Sequence, residues 1–178
     1  MISNLTFWDE DKADNPQERK TLAQWNANAR LARDLWIFNK DFRICGSSKS
    51  LEDGENGLKQ LMPNGKVWLV YKSSTYVNLT AMEEKKWFGL TAIWTKPEMR
   101  GNGFFREVVR LLKDFAVEKD LGFYASPNPF DARSYDQLTL DLEGFEYLSD
   151  PQKRDQTARM LRSEGFIEIP LLLNIRAF

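Results

Sequence analysis

The chain has 178 residues, 42% of them hydrophobic and 13% aromatic, enough for one domain with a full core and too few to argue for two. A formal net charge of -1 and a pI near 5.7 give none of the basic excess of a nucleic-acid or membrane-surface binder, so neither partner is expected. The lack of any histidine excludes Ser-His-Asp and Cys-His catalysis within the chain and removes the commonest zinc ligand, so no metal is expected.

Acid-base chemistry, if present, falls to carboxylates, tyrosine, lysine, backbone or water. Cys45 is the single cysteine, which excludes an intramolecular disulfide. Met1-Ile2-Ser3-Asn4 lack the basic and apolar regions of a secretion signal, and no apolar run approaches the roughly 20 residues of a bilayer span. A soluble chain in a reducing, cytoplasmic setting is expected.

In chain order, Leu5 to Trp8 reads as a short strand ended by Asp9-Glu10-Asp11. Asn15-Pro16-Gln17-Glu18 combines an N-cap residue, a proline at the first helical position and a glutamate three residues after the cap, a capping-box signature. The helix that begins there should pack through Leu22, Trp25, Leu31, Leu35, Trp36 and Phe38, which fall mostly on one face. Ser50 to Met62 forms a weaker helical pattern, interrupted by Gly54 and Gly57. Pro63-Asn64-Gly65 is a turn, and Lys66 to Tyr71, rich in β-branched and aromatic residues, is a strand. Tyr76 to Met82 and Trp87 to Thr95 follow as strands around a polar turn at Glu83 to Lys86, so an antiparallel meander is expected.

Beyond Thr95 lies Pro97-Glu98-Met99-Arg100-Gly101-Asn102-Gly103, and then the clearest amphipathic helix of the chain, with Phe104, Phe105, Val108, Leu111, Leu112 and Phe115 on one face. Leu121 to Ala125 returns as a strand, which implies a parallel neighbour in the same sheet. Asn128 to Asp150 has no clear pattern. Asp150-Pro151 caps a last helix through Arg162, ended by Gly165, before an extended segment from Phe166 to Phe178. A strand running into a glycine turn and a helix N-terminus is an anion-binding geometry, because the first N–H groups of the helix have no intrahelical partner.

The long strand, the 97–105 turn, the helix over 104–119, the next strand, and later Ala158-Arg159-Met160-Leu161-Arg162-Ser163-Glu164-Gly165-Phe166 together resemble the GNAT N-acetyltransferase superfamily. The likeness covers roughly the C-terminal three fifths of the chain, with a compatible N-terminal part. It implies a single α/β (α+β) domain over residues 1–178, with a mixed, mostly antiparallel sheet flanked by helices and an insertion around 129–150. It also implies acetyl-CoA as co-substrate. Ile93, Trp94 and Thr95 would offer backbone groups to the thioester and pantetheine arm. Arg100, Gly101, Asn102, Gly103, Phe104 and Phe105 would surround the pyrophosphate, with Arg100 and Gly103 matching the Arg-x-x-Gly part of the family motif. Asn128 matches a position that often hydrogen-bonds the cofactor.

Two positions depart from the family pattern. Phe105 stands where glycine or alanine is usual; its ring either points into the core and leaves the backbone free, or crowds the cofactor, and its closeness to Phe104 and Val108 on the apolar face favours the first. Leu161 stands where a tyrosine often protonates the leaving thiolate. Tyr135 in the insertion, and Tyr124 on the strand before it, are substitutes for that acid; each also reads as a packing or surface tyrosine. Glu84, with Glu83, is the best placed carboxylate to take the amine proton by analogy, and both also read as solvated turn charges. The expected activity is acetyl transfer to a primary amine of a small molecule, peptide or protein by direct attack in a ternary complex. The alternative is a catalytically degenerate GNAT-like module that binds or inhibits a macromolecular partner.

Overall fold

The computed structural model describes residues 7–45, 67–82, 84, 86–125 and 151–167. The sequence expectations for Ser50 to Met62, for the Pro63-Asn64-Gly65 turn, for Asn128 to Asp150 and for the C-terminal extended segment beyond Ile167 lie outside these residues.

Helix α1, Pro16–Phe38, starts where the capping signature places it. Asn15 Oδ1 accepts from the Glu18 N–H at 2.9 Å, and Glu18 Oε2 accepts from the Asp14 N–H at 2.8 Å, one residue earlier than in a strict capping box. Leu22, Trp25, Leu31 and Leu35 are buried as the apolar face requires. Trp36 is only partly covered, with the Lys40 ammonium 3.3 Å from a ring centroid, a cation–π contact.

Every residue from Trp25 to Ala29 is buried, so this part of α1 is enclosed beyond its apolar stripe. Two asparagines make that possible by binding main chain. Asn26 Oδ1 accepts from the Trp8 N–H and its Nδ2 donates to the Trp8 carbonyl, each at 2.8 Å. Phe7 and Trp8 are accordingly not in a strand: the Trp8 backbone is satisfied by a side-chain amide in place of a ladder. Asn28 Oδ1 accepts from the Ala81 N–H at 2.8 Å, and Gln24 Nε2 donates to the Ala81 carbonyl at 2.9 Å, the same clamp applied to the sheet.

Strands β1 (Phe42–Cys45), β2 (Val67–Tyr71), β3 (Thr75–Met82), β4 (Trp87–Thr95) and β5 (Gly122–Ala125) form one sheet in sequence order among the described residues. The first four pair antiparallel, and β4 pairs parallel with β5 across helix α2, Phe104–Lys119. This is a mixed, mostly antiparallel α+β arrangement. Ile44, Leu69, Val77 and Ile93 stand in one row across four strands.

Alternation sets the two faces of the sheet. Val67, Leu69, Tyr71, Val77, Leu79, Phe88 and Leu90 join Trp25 and Leu35 of α1 and Val108, Leu112 and Phe115 of α2 in one core. Phe115 meets Phe38 at 5.5 Å and Phe88 at 5.7 Å between ring centroids, both edge-on, and so joins both helices to the sheet. Trp68, Asn78 and Trp94 are buried on the other face.

Helix α3, Pro151–Ser163, ends in a Schellman motif in which Gly165 is left-handed and the Phe166 N–H reaches the Leu161 carbonyl at 3.1 Å. Glu164, just past that end, has a side chain only 6% exposed and accepts from Arg110 of α2 through Nε at 2.8 Å and Nη2 at 3.2 Å. Lys113 Nζ donates to the Glu164 carbonyl. Leu161 is part of the core. No helix among the described residues is long and apolar enough to cross a membrane.

Candidate functional site

The site is built from the end of β4 to the first turn of α2. Pro97–Met99 form a single 3-10 turn, with the Met99 N–H bonded to the Lys96 carbonyl at 2.9 Å. Gly101 (φ +83) and Gly103 (φ +78) then reverse the chain in the left-handed region, which a residue with a β-carbon enters at a cost of roughly 1–2 kcal/mol. Gly103 is the N-cap of α2 and provides no side-chain cap. The first intrahelical bond runs from the Glu107 N–H to the Gly103 carbonyl at 3.0 Å, so the N–H groups of Phe104, Phe105 and Arg106 precede the helical ladder. Among the described residues a β-carbon at Gly101 or Gly103 would meet nothing within 4 Å, so the space beside these amides is open there.

The side chains around the turn brace it. Arg100 Nε donates to the Thr95 carbonyl and Asn102 Nδ2 to the Met99 carbonyl, each at 3.0 Å. Of the cofactor residues expected from sequence, Arg100 and Asn102 therefore spend these groups on the loop itself, and the amides of the helix end are its outward donors. Phe104 and Phe105 are half-buried and pack against the core, which answers the question raised by Phe105: its ring belongs to the inside of the fold.

Glu107, in the first turn of α2, accepts from the Tyr71 hydroxyl at 2.7 Å and from Lys72 Nζ at 2.8 Å. Lys72 first, then Tyr71, holds the Glu107 carboxyl below the usual carboxylate range, while the same contact keeps the Lys72 ammonium charged above its usual range. Burial, then Glu107, pushes the Tyr71 hydroxyl up. The clasp fixes the helix end to the β2–β3 turn, where Lys72 and Ser73 are both left-handed.

Along β4, Ile93 is partly buried against the core, Trp94 is buried 5.7 Å from the Tyr76 ring, and Thr95 Oγ1 lies 3.0 Å from Thr75 Oγ1. The register with β3 shifts once: Leu90 faces Leu79, whereas Ala92 faces Asn78. Thr91 is the extra residue of a β-bulge. The parallel ladder with β5 runs from Trp87↔Gly122 to Leu90↔Ala125, so among the described residues β4 carries no β5 partner from the bulge onward.

Tyr124 projects from β5 onto Gly89 of β4, where any β-carbon would overlap its ring, and burial pushes its phenol up, so the hydroxyl keeps its proton at neutral pH. Glu84 is exposed at the other end of β4, roughly 30 Å from the turn at about 3.3 Å per residue, and the fold does not bring it to the helix end. Asn128, Tyr135, Glu83 and the 129–150 stretch lie outside the described residues. Sequence reasoning missed Asn78 and Thr91, which hold the bulge, and Gly89, although a glycine inside an apolar strand is itself a sign of a bulge or a close approach.

No protein-family model matches the chain, and no curated protein or solved structure matches it either.

Proposed function

We propose that this chain is a GNAT-like, acetyl-CoA-dependent N-acetyltransferase acting on a primary amine of a small molecule, peptide or protein. The observation that carries the reading is the passage from β4 through the left-handed turn at Gly101 and Gly103, open among the described residues, to the uncapped end of α2. Backbone amides and the positive helix end suit a diphosphate without needing cationic side chains. The C-terminal part of β4 would offer backbone groups to an extended arm that ends in a thioester.

The chemistry is direct. A neutral amine attacks the thioester carbonyl, the C–N bond forms, the C–S bond breaks, and the thiolate takes a proton. An alkylamine has a pKa of about 10, so a neutral amine at pH 7 costs about 4 kcal/mol, and a base or water must receive its proton. Tyr124, protonated and lying over Gly89 of β4, is the phenol among the described residues that the family likeness offers as an acid. Leu161 is a core residue and supplies no acid. That burial favours a second reading, in which a GNAT-like module binds the cofactor or a macromolecule without turning it over.

Titration calorimetry with acetyl-CoA tests the proposal. Binding is expected, and Gly103→Val, which forces a β-branched residue into the left-handed region and fills the open space, should abolish it with the helical signal retained. Absence of heat at millimolar acetyl-CoA would overturn the reading. Binding without turnover of a broad amine panel would select the non-catalytic module.

A further inference from the structure

We propose that Glu107 and Lys72 regulate how tightly the proposed site holds its cofactor: the Glu107 carboxylate opposes the diphosphate, and the Lys72 ammonium masks that charge. The inference rests on the acetyl-CoA reading and deepens it.

Glu107 is the acidic residue in the first turn of α2. A carboxylate there is favoured by the positive helix end and repels any other anion brought to the same end. Its Oε1 accepts from both the Tyr71 hydroxyl at 2.7 Å and Lys72 Nζ at 2.8 Å. Tyr71 is buried and keeps its proton, so Lys72 is the partner that offsets the charge. Arg106 and Arg110, the next cations along α2, are drawn to Glu164 on the other side.

The placement of Lys72 is costly. Lys72 (φ +46) and Ser73 (φ +53) are the central residues of the turn that the Ser74 N–H closes on the Tyr71 carbonyl at 3.0 Å. Asparagine and glycine are the usual residues where both positions are left-handed. Either at position 72 would relieve the strain and give up the cation. The Lys72 and Glu107 side chains are 41% and 42% exposed, so as an ion pair they add modestly to stability. Their larger consequence is the field at the helix end: with Lys72 in place the pair is close to neutral, and without it a bare carboxylate faces the incoming phosphates.

Calorimetry of the full chain with acetyl-CoA, at low and at high salt, tests the assignment. Glu107→Gln keeps an oxygen for both donors and removes the charge. It is expected to bind about three- to tenfold more tightly than wild type at low salt, with the gain shrinking at high salt. Lys72→Met should bind more weakly by a similar factor, and the double variant should return to near wild type. A merely structural clasp gives the opposite sign for Glu107→Gln, because loosening the helix end weakens binding. Unchanged or weaker binding by a folded Glu107→Gln, a gain that persists at high salt, or a folded Lys72→Met that binds like wild type would each overturn the assignment while leaving the acetyl-CoA reading in place. Failure of wild type to bind acetyl-CoA would overturn both.

Discussion

Tyr124 lies on Gly89: the ring of a β5 residue occupies the volume that a side chain on β4 would take. The relationship is repeated two residues away, where the Trp87 indole occupies the space beside Gly122. Each aromatic covers a glycine of the facing strand, and the two lie on the same face of the sheet, opposite the core face of Phe88 and Leu90. Gly89→Ala should cost about 1–3 kcal/mol by forcing the ring out of place. In a Tyr124→Ala background the same change should cost much less, and a double-mutant cycle from urea denaturation measures the coupling.

Acid should weaken the fold through two carboxylates. Lys72 and Tyr71 lower the pKa of Glu107, and Arg110 lowers that of Glu164. A carboxyl with a lowered native pKa binds fewer protons folded than unfolded, so its contribution is complete above the ordinary value of 4.5 and is lost as pH falls through the native value. The urea midpoint should therefore be flat near neutrality and drop below about pH 4.5. Glu164→Gln should lower the neutral midpoint and flatten the acid slope. An unchanged slope would show that Glu164 is not one of the groups responsible.

Helix α2 ends like α3, but with Asp120 in the left-handed position at φ +54 and the Leu121 N–H bonded to the Ala116 carbonyl at 2.9 Å. Asp120→Gly should raise stability by about 0.5–1 kcal/mol, since relief of the left-handed strain outweighs the added freedom of the unfolded chain. Gly165→Ala should act in the opposite direction by a similar amount. Thermal and urea midpoints check both signs.

Asn28 and Asn26 should behave as structural keystones. Asn28→Ala leaves the buried Ala81 N–H without its acceptor and should cost about 1–3 kcal/mol. Asn26→Ala should additionally speed hydrogen exchange at the Trp8 amide, which its side chain holds. Retained protection at Trp8 would show that a different contact secures this segment.

Elements defined by local pattern were legible in the sequence. The bounds of β4, the α1 cap, the start of α2 and the Gly165 ending follow from alternation, helical periodicity and terminus chemistry, each carried by nearby residues. β1 escaped notice because four residues, including Arg43, are too few to establish a period. Of the strand expected over Leu5 to Trp8, Phe7 and Trp8 are described and are not in a strand, because the Trp8 backbone partner is a side chain of α1, 18 positions away. The bulge escaped for the same reason: Asn78 and Thr91 are ordinary strand residues until their pairing is known. In the candidate site, the glycine turn was readable, whereas the inward packing of Phe105 and the remoteness of Glu84 required the fold.

The parallel pairing of β4 with β5 also bears on how the chain assembles. The β2–β3 and β3–β4 hairpins close short loops, while β5 reaches β4 only after α2 has crossed over the sheet. Loop closure of that kind costs entropy before it returns contacts, so the meander should lead and β5 should dock late. Leu79→Ala is then expected to slow refolding, and Phe123→Ala chiefly to speed unfolding, in stopped-flow chevrons. The pairing of β5 with residues 87–90 of β4 would be the last part of the sheet to be completed and the first to open.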